Sequence, residues 1–338
     1  MTEQEYRSLP YINQSLLKQY ENHYVPQEQS DESKRYAEYE AEYTVIGNIV
    51  DAIMSCMDPR DKYVPISKEP SAIVKSIMTY LWNNQLDLIE ENVQSCPEEA
   101  EFDKRIKDTT KRFEAIVGQG REFYGALSTG RIPVAQELFD TAEQICMNFH
   151  SKASTNQFLD DGSDIHQAIV VGRIMSIGKS DVMCKCMIDR LKFDKKTGMF
   201  TVVDIKTTGD STLSFGNKIK RFGYDFQMAF YCQMVLDNII NNVYDVVQPD
   251  PRIEKLRQMF RSQKDKPHMN TTAYLLAEST TKPGYPLAFG IDWTNKELND
   301  RINNTFVNYR YAKDNPTEIY TKSFLDQNLV VRYETQAE

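Results

Sequence analysis

Two apolar stretches of strand length, MIDRLKFD and MFTVVDIKTT, are separated in the sequence by the short link KKTG. A link of this length with Gly198 available for a positive φ is typical of a β-hairpin. The two predicted strands nevertheless carry Asp189, Asp204 and Lys206 among their apolar residues. Charged side chains are rarely buried without a partner, so three of them among apolar strand residues require a physical explanation.

The alternation of strand residues places Asp204 and Lys206 on the same side of the sheet. Asp189 lies on the neighbouring antiparallel strand, so the two carboxylates can approach each other near one end of the hairpin. Close carboxylates repel unless a cation lies between them, and Mg²⁺ or Mn²⁺ prefers oxygen ligands. This pattern therefore predicts a divalent-metal site in which Lys206 orients or deprotonates a water, or stabilises charge on a phosphoryl oxygen. The alternative is a solvent-facing charged hairpin.

The order of predicted elements indicates an α/β fold, a mixed sheet flanked by helices. Helical patterns come first, including one at residues 133–151 that Pro133 is expected to open. The predicted strands and helices that follow are strands 166–177, 182–194 and 199–208, helix 224–240, strands 272–279 and 286–292, and helix 295–313. We expect one domain over residues 1–338, with a helical insertion at 60–130 and the catalytic strands and their helix within 150–240.

The segments MIDRL and VVDIKTT, followed by GYDFQMAFY, resemble the sequence pattern of the PD-(D/E)XK nuclease superfamily. The most similar branch is the RecE-like exonucleases of the exonuclease VIII type, with lambda exonuclease and RecB nuclease domains as relatives. The resemblance is good over residues 184–235 and weaker elsewhere. It implies a restriction-endonuclease-like fold whose catalytic residues are Asp189, Asp204, Lys206, Gln227 and Tyr231.

Gln227 and Tyr231 are four residues apart and share a helix face, with Tyr224 on the same face. The resemblance implies that this Gln and Tyr line the active site and contact the substrate. An ordinary amphipathic helix is the alternative interpretation.

A departure from the family pattern concerns the early helix, where RecE-like relatives carry Gly-xxx-His. Here GNIVD puts Asp51 in the place of that histidine. A carboxylate suits Mg²⁺ better than an imidazole does, and a core-facing carboxylate without a metal would be costly. The predicted metal ligands are therefore Asp51, Asp189, Asp204 and the backbone carbonyl of Ile205. The alternative is that Asp51 faces solvent at a helix edge.

These residues predict a Mg²⁺-dependent deoxyribonuclease, with Mn²⁺ as a substitute. The resemblance implies a double-stranded DNA exonuclease used in phage-type recombination or repair. The alternatives are an endonuclease of the same fold and a non-catalytic module that binds DNA or protein. Lys218, Lys220 and Arg221 precede the Gln/Tyr helix and are the candidates for contacting DNA phosphates, unless they form a solvated charged turn.

The net charge of −9 argues against nonspecific coating of nucleic acid, which depends on clustered Lys and Arg. This net charge favours a protein that binds the ends of linear duplex DNA through a local basic strip. The resemblance adds a homo-oligomer and a single-strand annealing protein as expected partners. The chain has no apolar run of the roughly 18 residues that cross a bilayer. Its N-terminal sequence is acidic, unlike a secretory signal. Its cysteines form no CxxC pair. We therefore expect no membrane partner and a cytoplasmic location, the host cytoplasm if the protein is viral.

Overall fold

The structure is a computed structural model that describes residues 3–21, 41–159, 164–174, 182–241, 246–261 and 270–314. The chain forms two compact units. The first comprises Met1–Glu40 and Asn148–Glu338, and the second comprises Ala41–Met147. No helix in the described ranges is long and apolar enough to cross a membrane.

The helices, in chain order, are α1 (Glu3–Ser8), α2 (Gln14–Lys18), α3 (Glu42–Met54), α4 (Ala72–Asn83), α5 (Glu90–Ser95), α6 (Thr109–Ser128), α7 (Gln136–Ser151), α8 (Ala153–Asn156), α9 (Gly216–Phe222), α10 (Tyr224–Val235), α11 (Pro251–Arg261) and α12 (Lys296–Asp314). The strands are β1 (Tyr63–Ile66), β2 (Ile132–Ala135), β3 (Asp164–Arg173), β4 (Met183–Asp194), β5 (Met199–Thr208), β6 (Thr271–Ser279) and β7 (Leu287–Gly290). A π-helical turn, Leu236–Ile240, follows α10.

The first unit is built on a five-stranded sheet in the order β3-β4-β5-β6-β7. Its strands pair antiparallel except for β5 and β6, which are parallel. The predicted mixed α/β fold is thus confirmed. The parallel pair requires a crossover, and the chain between β5 and β6 contains α9, α10 and α11, as the sequence order suggests.

The predicted β4–β5 hairpin forms around the KKTG link. Gly198 has φ of 70°, and its amide donates to the Asp194 carbonyl at 2.8 Å. The antiparallel pairing runs from Asp194–Met199 to Arg190–Val203 and stops there. Asp189 and Asp204 therefore lie one residue beyond the last paired residues, where the two strands separate.

Helix α10 is the central helix of this unit and packs on the sheet strands β3 to β6. Phe226 and Phe230 are fully buried and join Phe200 and Val202 of β5 in one apolar core. A helix that is apolar on nearly all sides belongs in a protein interior. The side chains of β5 that continue this face beyond Val202 are Asp204 and Lys206, so the core ends at the candidate site.

The second unit contains helices α3 to α6, most of α7 and the parallel pair β1–β2. Pro133 pairs with Val64 in this small sheet, and α7 begins only at Gln136. The prediction that Pro133 opens the helix was therefore wrong. Val64 and Pro133 lie in extended backbone, which proline tolerates at a strand edge. The range 60–130 is mostly helical but also includes β1.

Candidate active site

Strand β5 brings an aspartate and a lysine together at the end of the buried core. Asp204 is only 1% exposed, and its Oδ2 atom lies 2.6 Å from Lys206 Nζ. Burial lowers the pKa of Lys206, but the negative charges of Asp204 and Asp189 outweigh burial and raise that pKa above its ordinary value. The lysine in this arrangement is therefore an ammonium ion at neutral pH.

Asp189 reaches the same place from β4. Its Oδ2 accepts a hydrogen bond from the Ile205 amide at 2.8 Å. Because the backbone pairing of the two strands has already stopped, the carboxylate takes the place of a carbonyl acceptor from β4. This contact fixes the Asp189 carboxylate against the backbone that joins Asp204 to Lys206.

Helix α10 supplies Gln227 as a partner of Asp204 and Tyr231 as a partner of Gln227. Gln227 Nε2 donates to Asp204 Oδ1 at 3.1 Å and to the Tyr231 hydroxyl at 2.8 Å. Tyr231 is 8% exposed, and burial together with the nearby Asp204 charge raises its pKa well above the ordinary value. It therefore remains a neutral phenol. The structure thus brings together all five residues that the sequence pattern singled out, while their catalytic role stays a prediction.

The donor set suits a hard divalent cation. Asp189 and Asp204 offer carboxylate oxygens, the Ile205 carbonyl is the third predicted ligand, and all of these are oxygen atoms. Asp189 and Asp204 both act on the Lys206 ammonium, and a divalent cation bound by these carboxylates would offset their mutual repulsion. Within the described ranges, no group of three or more His, Cys, Asp and Glu side chains is placed so that it could hold a metal ion. Mg²⁺ fits such a site, because it commonly keeps waters and binds substrate phosphates beside one or two carboxylates.

Asp51 lies on α3 in the second unit and is partly buried. The first unit alone contains Asp189, Asp204 and Ile205. Asp51 therefore stays a predicted ligand.

The three predicted DNA-contacting residues lie on α9 and have different environments. Lys218 Nζ donates to Thr208 Oγ1 at 2.7 Å and pairs with Asp210 at 2.6 Å, at the end of the strand that carries Lys206. Lys220 and Arg221 are exposed. Lys218 thus has strong internal contacts while the other two face solvent, and the DNA-contacting role of all three stays a prediction.

Tyr224 is a further neighbour of Lys206 and lies outside the five residues of the family pattern. Its ring centroid lies 5.4 Å from Lys206 Nζ, and the ring stacks on Phe215 with 5.6 Å between centroids. An ammonium at this distance from a ring face is attracted by the ring quadrupole. The spacing of Tyr224 and Gln227 indicates that they share a helix face. It does not predict that Tyr224 contacts Lys206 on a strand.

A mixed sheet whose central strands separate at Asp189, Asp204 and Lys206, with a Gln/Tyr helix beside them, defines a PD-(D/E)XK nuclease fold. The chain belongs to the family described as "PDDEXK-like domain of unknown function (DUF3799)". The model of this family matches residues 21–247, which is more than half of the chain.

A similar solved structure is a protein from Eubacterium rectale described as a "Putative exonuclease". The similarity covers 95% of this chain and 88% of that chain, at 12% sequence identity and a TM-score of 0.47. No curated protein matches this chain.

Proposed function

We propose that this protein is a Mg²⁺-dependent DNA nuclease that hydrolyses phosphodiester bonds, with Mn²⁺ as a substitute metal. The observation that supports this most is the cluster of Asp189, Asp204 and Lys206 where β4 and β5 separate. Membership of a PDDEXK-like family supports the same chemistry. Burial of the Asp204 carboxylate carries a desolvation cost, and a role in binding a cation gives a reason for keeping it there.

In this proposal Asp189, Asp204 and the Ile205 carbonyl hold the metal, and Asp51 joins them. When bound, Mg²⁺ supplies Lewis acidity, which makes a coordinated water more acidic and offsets negative charge on the phosphate. The Lys206 ammonium stabilises the charge that builds on the phosphoryl oxygens during in-line attack. Gln227 orients the Asp204 carboxylate by donating to its Oδ1, and Tyr231 holds Gln227 by accepting from the same Nε2 group, as outer-shell groups do in metal sites.

The proposed substrate is linear double-stranded DNA, degraded from an end in phage-type recombination or repair in the cytoplasm. A net charge of −9 disfavours binding anywhere along a duplex, since such binding is almost entirely phosphate electrostatics. A protein that binds a DNA end through one local basic strip needs little positive charge on the rest of its surface. A homo-oligomer and a single-strand annealing partner belong to this proposal through the resemblance to RecE-like enzymes.

The experiment that tests the substrate geometry compares linear and covalently closed circular plasmid under Mg²⁺. An exonuclease degrades the linear form progressively and leaves the closed circle intact. Rapid nicking or linearisation of the circle by pure protein would instead identify an endonuclease of the same fold.

Charge reversal on α9 should weaken DNA binding without changing metal affinity. The double variant Lys220→Glu/Arg221→Glu leaves the Lys218 contacts with Thr208 and Asp210 in place. The slope of log K against log salt concentration should become shallower by about two, because each phosphate contact contributes roughly one. Fluorescence anisotropy of labelled duplex across a salt series measures this slope. Adding Lys218→Glu should weaken binding further.

The matched control for this prediction is Lys195→Glu/Lys196→Glu, in the exposed link at the other end of the β4–β5 hairpin. It makes the same change in net charge. Equal losses of affinity in the two double variants would show that only net charge matters and that α9 does not contact DNA.

Removal of the Asp51 carboxylate should weaken Mg²⁺ binding. We expect Asp51→Ala to raise the Mg²⁺ dissociation constant about tenfold or more, since affinity depends on the number of charged ligands. Asp51→His should recover much of the activity with Mn²⁺, which accepts imidazole more readily. Isothermal titration calorimetry measures the affinity, with the exposed Asp61→Ala of the same unit as the control. Unchanged Mg²⁺ affinity in Asp51→Ala would assign the residue a structural role.

A further inference from the structure

A continuous series of cation and ring contacts leads from Lys206 to the protein surface. Tyr224 lies next to the Lys206 ammonium, and its ring centroid is 5.9 Å from that of Phe222, with the planes tilted by 43°. The Arg221 guanidinium in turn lies 5.6 Å from the Phe222 centroid. Phe222 itself is 46% exposed. The series therefore begins at the candidate catalytic lysine and ends at an aromatic side chain that faces solvent.

The backbone around Phe222 is held in place although the ring is exposed. Helix α9 ends at Phe222, and Gly223 continues the chain with φ of 68°, a left-handed conformation that favours glycine. The Phe222 carbonyl accepts a hydrogen bond from Lys18 Nζ of the N-terminal helix α2. The end of the Lys18 side chain lies against Gly223 and would have to shift for a Cβ atom at this position. The ring is thus presented from a fixed backbone, which lowers the entropic cost of binding a partner on it.

The charges around this ring indicate what kind of partner it would take. Arg221 and Lys220 are exposed cations on the same short helix, and they complement a polyanion. A ring face beside such cations is the combination with which proteins bind unpaired nucleotides, because bases stack on aromatic side chains while phosphates meet Lys and Arg. A strand whose phosphate reaches Lys206 would carry its neighbouring nucleotide past Tyr224 towards Phe222.

We propose that Phe222, flanked by Arg221, is a stacking site for an unpaired nucleobase of the DNA strand that enters the active site. This inference rests on the proposed nuclease function and deepens it. It requires the substrate to be locally single-stranded at the protein surface, since a base that is paired within a duplex has no free face for the ring.

The test measures binding of two labelled probes of the same length, an oligothymidylate and an abasic oligonucleotide, by anisotropy in the presence of EDTA. Phe222→Ala should weaken oligothymidylate binding by about 5- to 150-fold, the range that corresponds to 1–3 kcal/mol for one stacked base. The same variant should bind the abasic strand as well as the parent does. Phe222→Trp should keep the parent affinity for oligothymidylate, because it restores a ring face.

The matched control is Leu213→Ala, which removes an apolar side chain that is 83% exposed on the turn after β5 but has no ring. This variant should bind both probes as the parent does. Equal losses on the two probes, no loss in Phe222→Ala, or failure of Phe222→Trp to restore binding would each overturn the stacking site. Absence of oligothymidylate binding by the parent protein would also overturn the stacking site. The proposed nuclease function fails separately, if the parent with Mg²⁺ cleaves neither linear nor closed circular duplex DNA.

Discussion

Replacement of Lys206 by alanine should lower the rate of DNA cleavage by about two orders of magnitude or more. This is the loss expected when a preorganised group that stabilises developing charge is removed. The Lys206 ammonium is held against Asp204 Oδ2 at 2.6 Å and beside the Tyr224 ring, so it needs no rearrangement to act. DNA binding should change little, because Lys220 and Arg221 remain in place. Single-turnover cleavage of labelled linear duplex under saturating Mg²⁺ measures the effect.

Two variants make this result interpretable. Lys206→Met keeps most of the apolar stem of the side chain and removes only the charge, so it should lose as much activity as alanine does. Lys195→Ala removes an exposed lysine from the far end of the same hairpin and should cleave at the parent rate. Parent-like turnover by Lys206→Met would remove the lysine from the proposed mechanism.

Asparagine at position 204 should abolish both cleavage and stabilisation by metal. The change keeps the shape of the side chain and leaves an oxygen to accept from Gln227, but it removes the charge that a divalent cation needs. Parent protein at 100 times its Mg²⁺ dissociation constant should gain about 2.7 kcal/mol of free energy of unfolding. Asp204→Asn should gain little or nothing under the same conditions. Thermal unfolding with Mg²⁺ or with EDTA measures this difference independently of activity.

Asp189→Asn should behave in the same way, because Asp189 is the second carboxylate of the proposed site. Asp210→Asn is the control, since Asp210 is exposed and pairs with Lys218 instead. Its Mg²⁺-dependent rise in Tm should equal that of the parent. A Mg²⁺-dependent rise in the Tm of Asp204→Asn that equals that of the parent would show that the metal does not bind at these carboxylates.

Local patterns in the sequence were sufficient for much of the fold. Alternation of apolar residues and the available positive φ at Gly198 predicted the β4–β5 hairpin, and the structure confirms it. The spacing of Gln227 and Tyr231 predicted a shared helix face, which the hydrogen bond between them confirms. These features depend on residues that are close in the chain, so their physical causes are visible there.

Features that depend on distant residues were not predictable in this way. The sequence around Pro133 predicts the start of a helix. In the structure Pro133 instead lies in β2, because β2 pairs with β1 and places Pro133 opposite Val64. The contact between Tyr224 and Lys206 depends on how α10 packs on β5. The bond from the Ile205 amide to Asp189 depends on where the strands separate, and hairpin chemistry alone does not specify that point.

The most direct test of the proposed metal-dependent cleavage is nucleotide release from linear duplex DNA by the parent protein and by Asp204→Asn, each with Mg²⁺ and with EDTA. We expect acid-soluble nucleotides from the parent in Mg²⁺ only, and none above background from the variant in either condition. Release that persists in EDTA, or equal release by parent and variant in Mg²⁺, would contradict the account. A parent protein that binds DNA but cleaves neither linear nor closed circular DNA with Mg²⁺ or Mn²⁺ would instead be a non-catalytic module with a nuclease fold.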